Sequence, residues 1–303
     1  METVIVVAGA TGNLGERIVR ALLEREARVT ALVRRGGAPE KIQKLEALGA
    51  TVTEVDYLSP DSLATACQGA SCVVSALSGL RDVIVEAQTA LLGAAIAAGV
   101  PRFIPSDFSI DFMKVPAGSN RNLDLRREFH ARLEQAPIAV TSILCGAFMD
   151  LLTGQAPIIL FPFKRVLYLQ HADQRMDFTS MDDAAAFTAC AALDPSTPRT
   201  LRIAGDEVSA RDLTDVMTKI SGKKFSLLRA GSLDTLTILI KATRRFFPAH
   251  DALYPPWQGM QYLANMFAGQ GKFERFDNDR YAGLHWQTVR DVLAKHEGQL
   301  HKS

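Results

Sequence analysis

Six apolar runs, separated by amphipathic stretches, occupy the first half of this chain and constrain its fold more than any other feature. The runs are "TVIVVAG" (3–9), "RVTALVR" (28–34), "ATVTEVD" (50–56), "SCVVSAL" (71–77), "RFIPS" (102–106) and "IAVTSIL" (138–144). Between them stand helical patterns such as "LGERIVRALLERE" (14–26), "PDSLATACQG" (60–69) and "VIVEAQTALLGAAIAAG" (83–99). Strands rich in Val and Ile along their whole length are buried on both faces. Spaced by helices, they predict an α/β fold with a parallel sheet covered on either side.

After Leu144 the rhythm changes. "FKRVLYLQHADQRMDFTS" (163–180) predicts a pair of strands around a polar turn, "DDAAAFTACAALD" (182–194) a helix and "RTLRIAG" (199–205) another strand. The last third predicts helices over 209–222, 232–247, 256–271 and 286–298. Residues 1–152 therefore form the expected first domain, with 178–205 returning to it. Residues 153–177 and 206–303 form a smaller, mostly helical one.

A glycine turn defines what the sheet would hold. Gly9, Gly12 and Gly15 follow directly on the first apolar run and open the first helix, in "GATGNLG" (9–15). In that position glycines let the backbone turn tightly against a pyrophosphate, while the helix N-terminus offers unpaired N–H groups and a positive dipole end. The fold class expected is thus a Rossmann-type doubly wound sheet with a helical substrate domain. A site selective for NAD places Asp or Glu at the end of the second strand. Here that strand ends in Arg34 and Arg35. Guanidinium groups there suit a 2′-phosphate and favour NADP(H), and Lys41 and Lys44 add charge nearby.

The formal net charge of +1 gives no electrostatic case for nucleic acid or an acidic membrane surface as partner. Cys67, Cys72, Cys145 and Cys190 lack metal-ligand spacing, and no metal is expected. Reduced buried thiols and an N-terminus that runs straight into a strand predict a cytoplasmic protein. The basic-aromatic stretch "KATRRFF" (241–247) is expected to complement a helix C-terminus, with its phenylalanines packed.

"GATGNLG" (9–15), the Arg-ended second strand, "TEVDYLSPDSL" (53–63), "VVSALSG" (73–79) and "AGVPRFIPSDF" (98–108) together resemble the NmrA-like and isoflavone-reductase-like branch of the atypical short-chain dehydrogenases. The resemblance implies cofactor roles for Gly9, Thr11, Gly12, Asn13, Leu14, Gly15 and Arg34, with Phe108 near the nicotinamide. It also points to a catalytic lysine on the helix after the "SDF" stretch. In "NRNLDLRREFHARLEQ" (120–135), whose core stripe is expected at Leu125, Phe129 and Leu133, Arg126 falls at that position, with Arg127 as the alternative.

This departure bears on chemistry. Guanidinium cannot act as a general base, though it can hold a carboxylate or stabilise an oxyanion. His130, one turn on from Arg126, could move a proton. Asp107, in the crevice beyond its strand, and Lys114, in the following loop, are further candidates. The bland alternative puts Arg126, Arg127 and His130 on a solvated helix face, paired with Glu134 and its neighbours, and Asp107 in a turn cap. None of the five tyrosines has a lysine four residues on, so the Tyr-x-x-x-Lys mechanism is absent.

Two functions stay open. One is an NADPH-dependent reductase of a small aromatic or quinone-like substrate, held in a cleft walled by Phe108, Phe148, Met149 and C-terminal helices. "PPWQGMQYLANMF" (255–267) could contribute to that wall or be an ordinary helix core. The other is a non-catalytic NADP(H)-binding redox sensor. A homodimer or a regulatory protein partner is compatible with either.

Overall fold

The computed structural model describes residues 3–300. Its first half alternates β1 (Val4–Ala8), α1 (Asn13–Leu23), β2 (Arg28–Arg34), α2 (Pro39–Ala47), β3 (Thr51–Val55), α3 (Pro60–Cys67), β4 (Cys72–Ser75), α4 (Gln88–Ala97), β5 (Arg102–Ile104), α5 (Arg121–Leu133) and β6 (Ala139–Val140). The strands form one sheet in the order β3-β2-β1-β4-β5-β6. Every neighbouring pair is parallel. Strand order reverses between β1 and β4, and ligands bind an open α/β sheet at that switch point. The expected doubly wound α/β fold is the one observed.

Past Thr141 the chain continues as β7 (Ser142–Leu144), which pairs in parallel with β12 (Thr200–Arg202). The intervening segment holds β8 (Ala147–Phe148), β9 (Ile159–Leu160), β10 (Arg165–Tyr168), β11 (Met176–Thr179) and α6 (Met181–Leu193). The expected strand pair in 163–180 exists as two strands, but they do not pair with each other. β10 lies between β9 and β14 (Ser226–Arg229), whereas β11 lies between β8 and β13 (Asp206–Val208). Local pattern identifies a strand; only long-range burial selects its neighbour.

Three apolar clusters make the core. One face of the sheet is covered by α1 and α6 and the other by α3, α4 and α5. Alanines dominate the buried positions of α6, which lets it lie close against α1. The third cluster joins β10, β11, α7 (Ala210–Ser221), α9 (Pro256–Phe267) and α10 (Val289–Leu300), and takes in Ile110, Phe112 and Leu123 from the first half. Tyr281, Leu284 and Trp286, expected in the smaller domain, rest instead on the sheet's core, the first and last against Phe187.

Two further expectations are corrected. The predicted helix 83–99 starts with a π-helical turn, Asp82–Ala87, before α4. Where the winding changes, buried Gln88 donates to the Ile84 carbonyl and accepts from the Ser106 N–H, tying α4 to the exit of β5. In α8 (Leu233–Phe246), the "KATRRFF" phenylalanines do not pack: Phe246 and Phe247 are 75% and 68% exposed. Among the described residues no helix is long and apolar enough to cross a membrane.

Candidate active site

The glycine turn divides its labour between packing and access. Gly9 has φ +77°, and a Cβ there would sit 2.5 Å from the Ala76 carbonyl oxygen. A Cβ on Gly15 would collide with the Gly9 carbonyl, so these two glycines let α1 and the exit of β4 close on the turn. Gly12 is exposed, and a Cβ on it would meet only the Gly9 oxygen, at 3.2 Å. It is also the N-cap of α1 and supplies no side-chain acceptor, so the first N–H groups of the helix face outward. Thr11 and Leu14 are half-buried beside it and Asn13 is exposed. This cradle fits a pyrophosphate.

At the end of β2, Arg34 and Arg35 are both exposed. Burial pushes the Tyr57 phenol up to about 12, with the charge of Arg34 opposing that push. Lys44 pairs with Glu16 of α1 at 2.8 Å. The strand-end position that would carry an acid in an NAD site is cationic here.

The exit of β5 carries the titratable groups. Ser106 donates to the Leu77 carbonyl at 2.7 Å, joining the ends of β4 and β5. Asp107, 1% exposed, places Oδ2 2.6 Å from His130 Nε2, and its Oδ1 has no partner. His130 is 8% exposed, lies edge-on to Phe112 at 5.0 Å, and has Ser142 Oγ 3.5 Å from the same nitrogen. The solvated-face alternative for His130 and the turn-cap alternative for Asp107 are thereby corrected: the two form a buried pair. Asn122, Leu123, Phe129, His130 and Leu133 are the buried positions of α5, so Leu125 is not in its stripe.

Arg126 is half-buried, bonds the Asn122 carbonyl at 3.1 Å and keeps a buried Nε without a partner. Burial drives Cys145 and Tyr262 each up to about 12, and in both the Arg126 charge works against that push. Arg127 instead bonds Asp124 and the carbonyls of Phe112 and Val115, which holds the loop before α5.

Not every candidate gathers here. Lys114 is exposed and turns to Glu274 at 2.9 Å. Met149 has no exposed surface and belongs to the third apolar cluster, so it cannot wall an open cleft. Phe108 is buried in the sheet's core, with Phe148 half-buried against the same cluster. An open polar groove of about 580 Å³ lies elsewhere, between β2, β3 and α3, lined by Thr30, Thr53, Asp61 and Thr65 among others. No group of three or more His, Cys, Asp or Glu gathers as a metal site among the described residues.

Sequence reasoning missed how α9 docks. Gln258, Gln261 and Asn265 are buried and bond the start of α5: Gln258 donates to Asn120 Oδ1 at 2.8 Å, Asn120 to Asn265 Oδ1 at 3.1 Å, and the Arg121 N–H to Gln261 Oε1 at 3.2 Å. Their i, i+3, i+7 spacing on an otherwise apolar helix was the available signal.

Compared with known proteins, the chain matches the NmrA-like family over residues 1–292. The chain belongs to the NmrA-like family. Pinoresinol reductase 1 of Arabidopsis thaliana is 30% identical over 254 residues, 78% of this chain and 80% of that protein. The NmrA-like fold is also that of a solved structure described as AtPrR2 with NADP+ and (+)pinoresinol, with a TM-score of 0.84 and 23% identity over 98% of this chain and 99% of that one. The NADPH complex of the quinone oxidoreductase QOR2 from Escherichia coli gives a TM-score of 0.73 and 23% identity over 97% and 99%.

Proposed function

We propose that this NmrA-like protein is an NADPH-dependent reductase that transfers hydride to a small aromatic or quinone-like substrate. The observation that carries the reading is the buried Asp107–His130 pair at the exit of β5, with Arg126 one helical turn away. The pinoresinol reductases and the quinone oxidoreductase among its relatives support the substrate class.

Gly12, Thr11 and the N–H groups of Asn13 and Leu14 would hold the pyrophosphate on the turn that Gly9 and Gly15 shape, and Arg34 and Arg35 the 2′-phosphate. Bound NADPH supplies the hydride. The remaining task is charge: negative charge develops on the substrate oxygen, and a proton must follow. Asp107 Oδ2, 2.6 Å from His130 Nε2, orients the imidazole; a ring protonated on both nitrogens would give its Nδ1 proton to the substrate oxygen and regain one from solvent. Arg126, which cannot lose its proton, supplies fixed positive charge for the oxyanion.

A second reading is favoured by one specific feature, the guanidinium of Arg126 where the family resemblance expects a lysine. It makes the chain an NADP(H)-binding sensor without turnover. One experiment separates the two: titrate NADPH and NADH by calorimetry, then follow NADPH oxidation with a panel of quinones and aromatic ethers. The reductase reading expects tighter NADPH binding and turnover that Asp107→Asn and His130→Gln abolish. Binding of NADPH with no turnover across the panel overturns it in favour of the sensor.

A further inference from the structure

None of the fourteen residues of α8 is buried. Leu233 and Leu236 lean on the third apolar cluster, and the helix runs along α9. Its other side exposes Ile238 by 69% and Leu239 by 49%, with Phe246 and Phe247 at its end. Residues 239, 242 and 246 follow the i, i+3, i+7 spacing of one helical face. Lys241 and Arg245 are exposed among them. Among the described residues no carboxylate pairs with Lys241, Arg244 or Arg245. Arg244 and Arg121 instead sandwich Trp257, at 5.1 and 4.8 Å from its ring centroid. The near-zero net charge of the chain conceals this local excess of cations.

We propose that this face of α8 docks on the anionic surface of a phospholipid membrane. The helix lies in the headgroup plane, Ile238, Leu239, Phe246 and Phe247 enter the acyl boundary, and Lys241 and Arg245 meet lipid phosphates. Charge decides against a second copy of the chain, because an isologous contact would bring Lys241 and Arg245 of both copies, with no carboxylate paired to them, into one interface. Shape decides against a folded acidic partner. The apolar side chains protrude from a convex helix, and a bilayer accepts protrusions without a matching groove. The inference stands whether or not the chain turns over NADPH.

The test is co-sedimentation of the full chain with vesicles of phosphatidylcholine containing about one third phosphatidylserine, and with pure phosphatidylcholine, at low and high salt. Binding is expected to the anionic vesicles only and to fall with salt. Lys241→Gln with Arg245→Gln should weaken it about 30-fold, at roughly one headgroup-scale interaction per cation. Phe246→Ser with Phe247→Ser should weaken it about tenfold or more. All four positions are exposed, so thermal unfolding should be unchanged and a folding defect is separable. No binding to either vesicle overturns the proposal, as does binding indifferent to both double variants. Self-association that these variants abolish, without vesicle binding, assigns the face to a second copy and overturns it equally.

Discussion

Asp107 and His130 stand 23 residues apart in the chain and 2.6 Å apart in space, joining the exit of β5 to the last turn of α5. The contact places an ionisable pair out of water at the carboxyl end of the sheet, where α/β proteins hold their ligands.

Asp107→Asn keeps the shape of that contact and removes its charge. The expected result is a loss of about 10²–10⁴-fold in kcat with little change in NADPH affinity, because the imidazole loses its orienting carboxylate. His130→Ala should also cost about 3–5 kcal/mol of stability by stranding a buried carboxylate. If denaturant melts show that loss while Asp107→Asn retains full kcat, the pair is structural only.

The glycines should separate by role. Gly15→Ala collides with the Gly9 carbonyl and should destabilise the fold by about 1–3 kcal/mol. Gly12→Ala meets open space apart from the Gly9 oxygen, so it should cost no more than about 1 kcal/mol. Its effect should fall on NADPH, whose dissociation constant should rise about tenfold or more as the methyl group displaces the phosphate. Equal melting curves with equal NADPH affinity would remove the phosphate role from Gly12.

Arg34 tests coenzyme choice. It is exposed at the end of β2, so Arg34→Ser should leave stability within about 0.5 kcal/mol. Loss of a charge-assisted contact to the 2′-phosphate should weaken NADPH by roughly 10- to 100-fold and leave NADH nearly unchanged. Calorimetric titration of both coenzymes reads this, and parallel losses for the two would contradict it.

Acid stability should report Asp194. Burial pushes its carboxyl up, but bonds from Ser196, Arg280 and Tyr281 outweigh that and hold it well below the usual carboxylate range. A depressed folded-state pKa stabilises the fold above the unfolded value of about 4, and that contribution is lost as pH falls through the folded value. Asp194→Asn should therefore melt lower than the parent at pH 7, with the difference closing as pH drops below about 4. A melting deficit that is constant from pH 7 to pH 2 would assign the effect to packing.

Most of the sheet was legible from local pattern. Val/Ile runs and the spacing between them located the six parallel strands. Of these, β1, β4 and β5 are buried along almost their whole length, while the edge strand β3 (TVTEV) keeps polar residues and only Val55 is buried. The glycine turn and the arginines after β2 were legible as well, because each depends on residue type at one place in the chain. The strands at 165–168 and 176–179 were legible as strands, yet their partners were not.

The candidate site divides along the same line. Sequence by itself determined the glycine cradle, the cationic end of β2 and the presence of Arg126 and His130 on one face of a helix. Tertiary structure alone decided that His130 turns inward to Asp107, that Lys114 turns outward to Glu274, and that Met149 is core. Helical periodicity relates residues within a helix, but the burial of that face depends on what distant segments lay over it. For α5 the covering comes from the exit of β5, from Phe112 and, through the Gln258, Gln261 and Asn265 amides, from α9. Its contacts span up to 145 residues of chain, beyond the reach of any local signal.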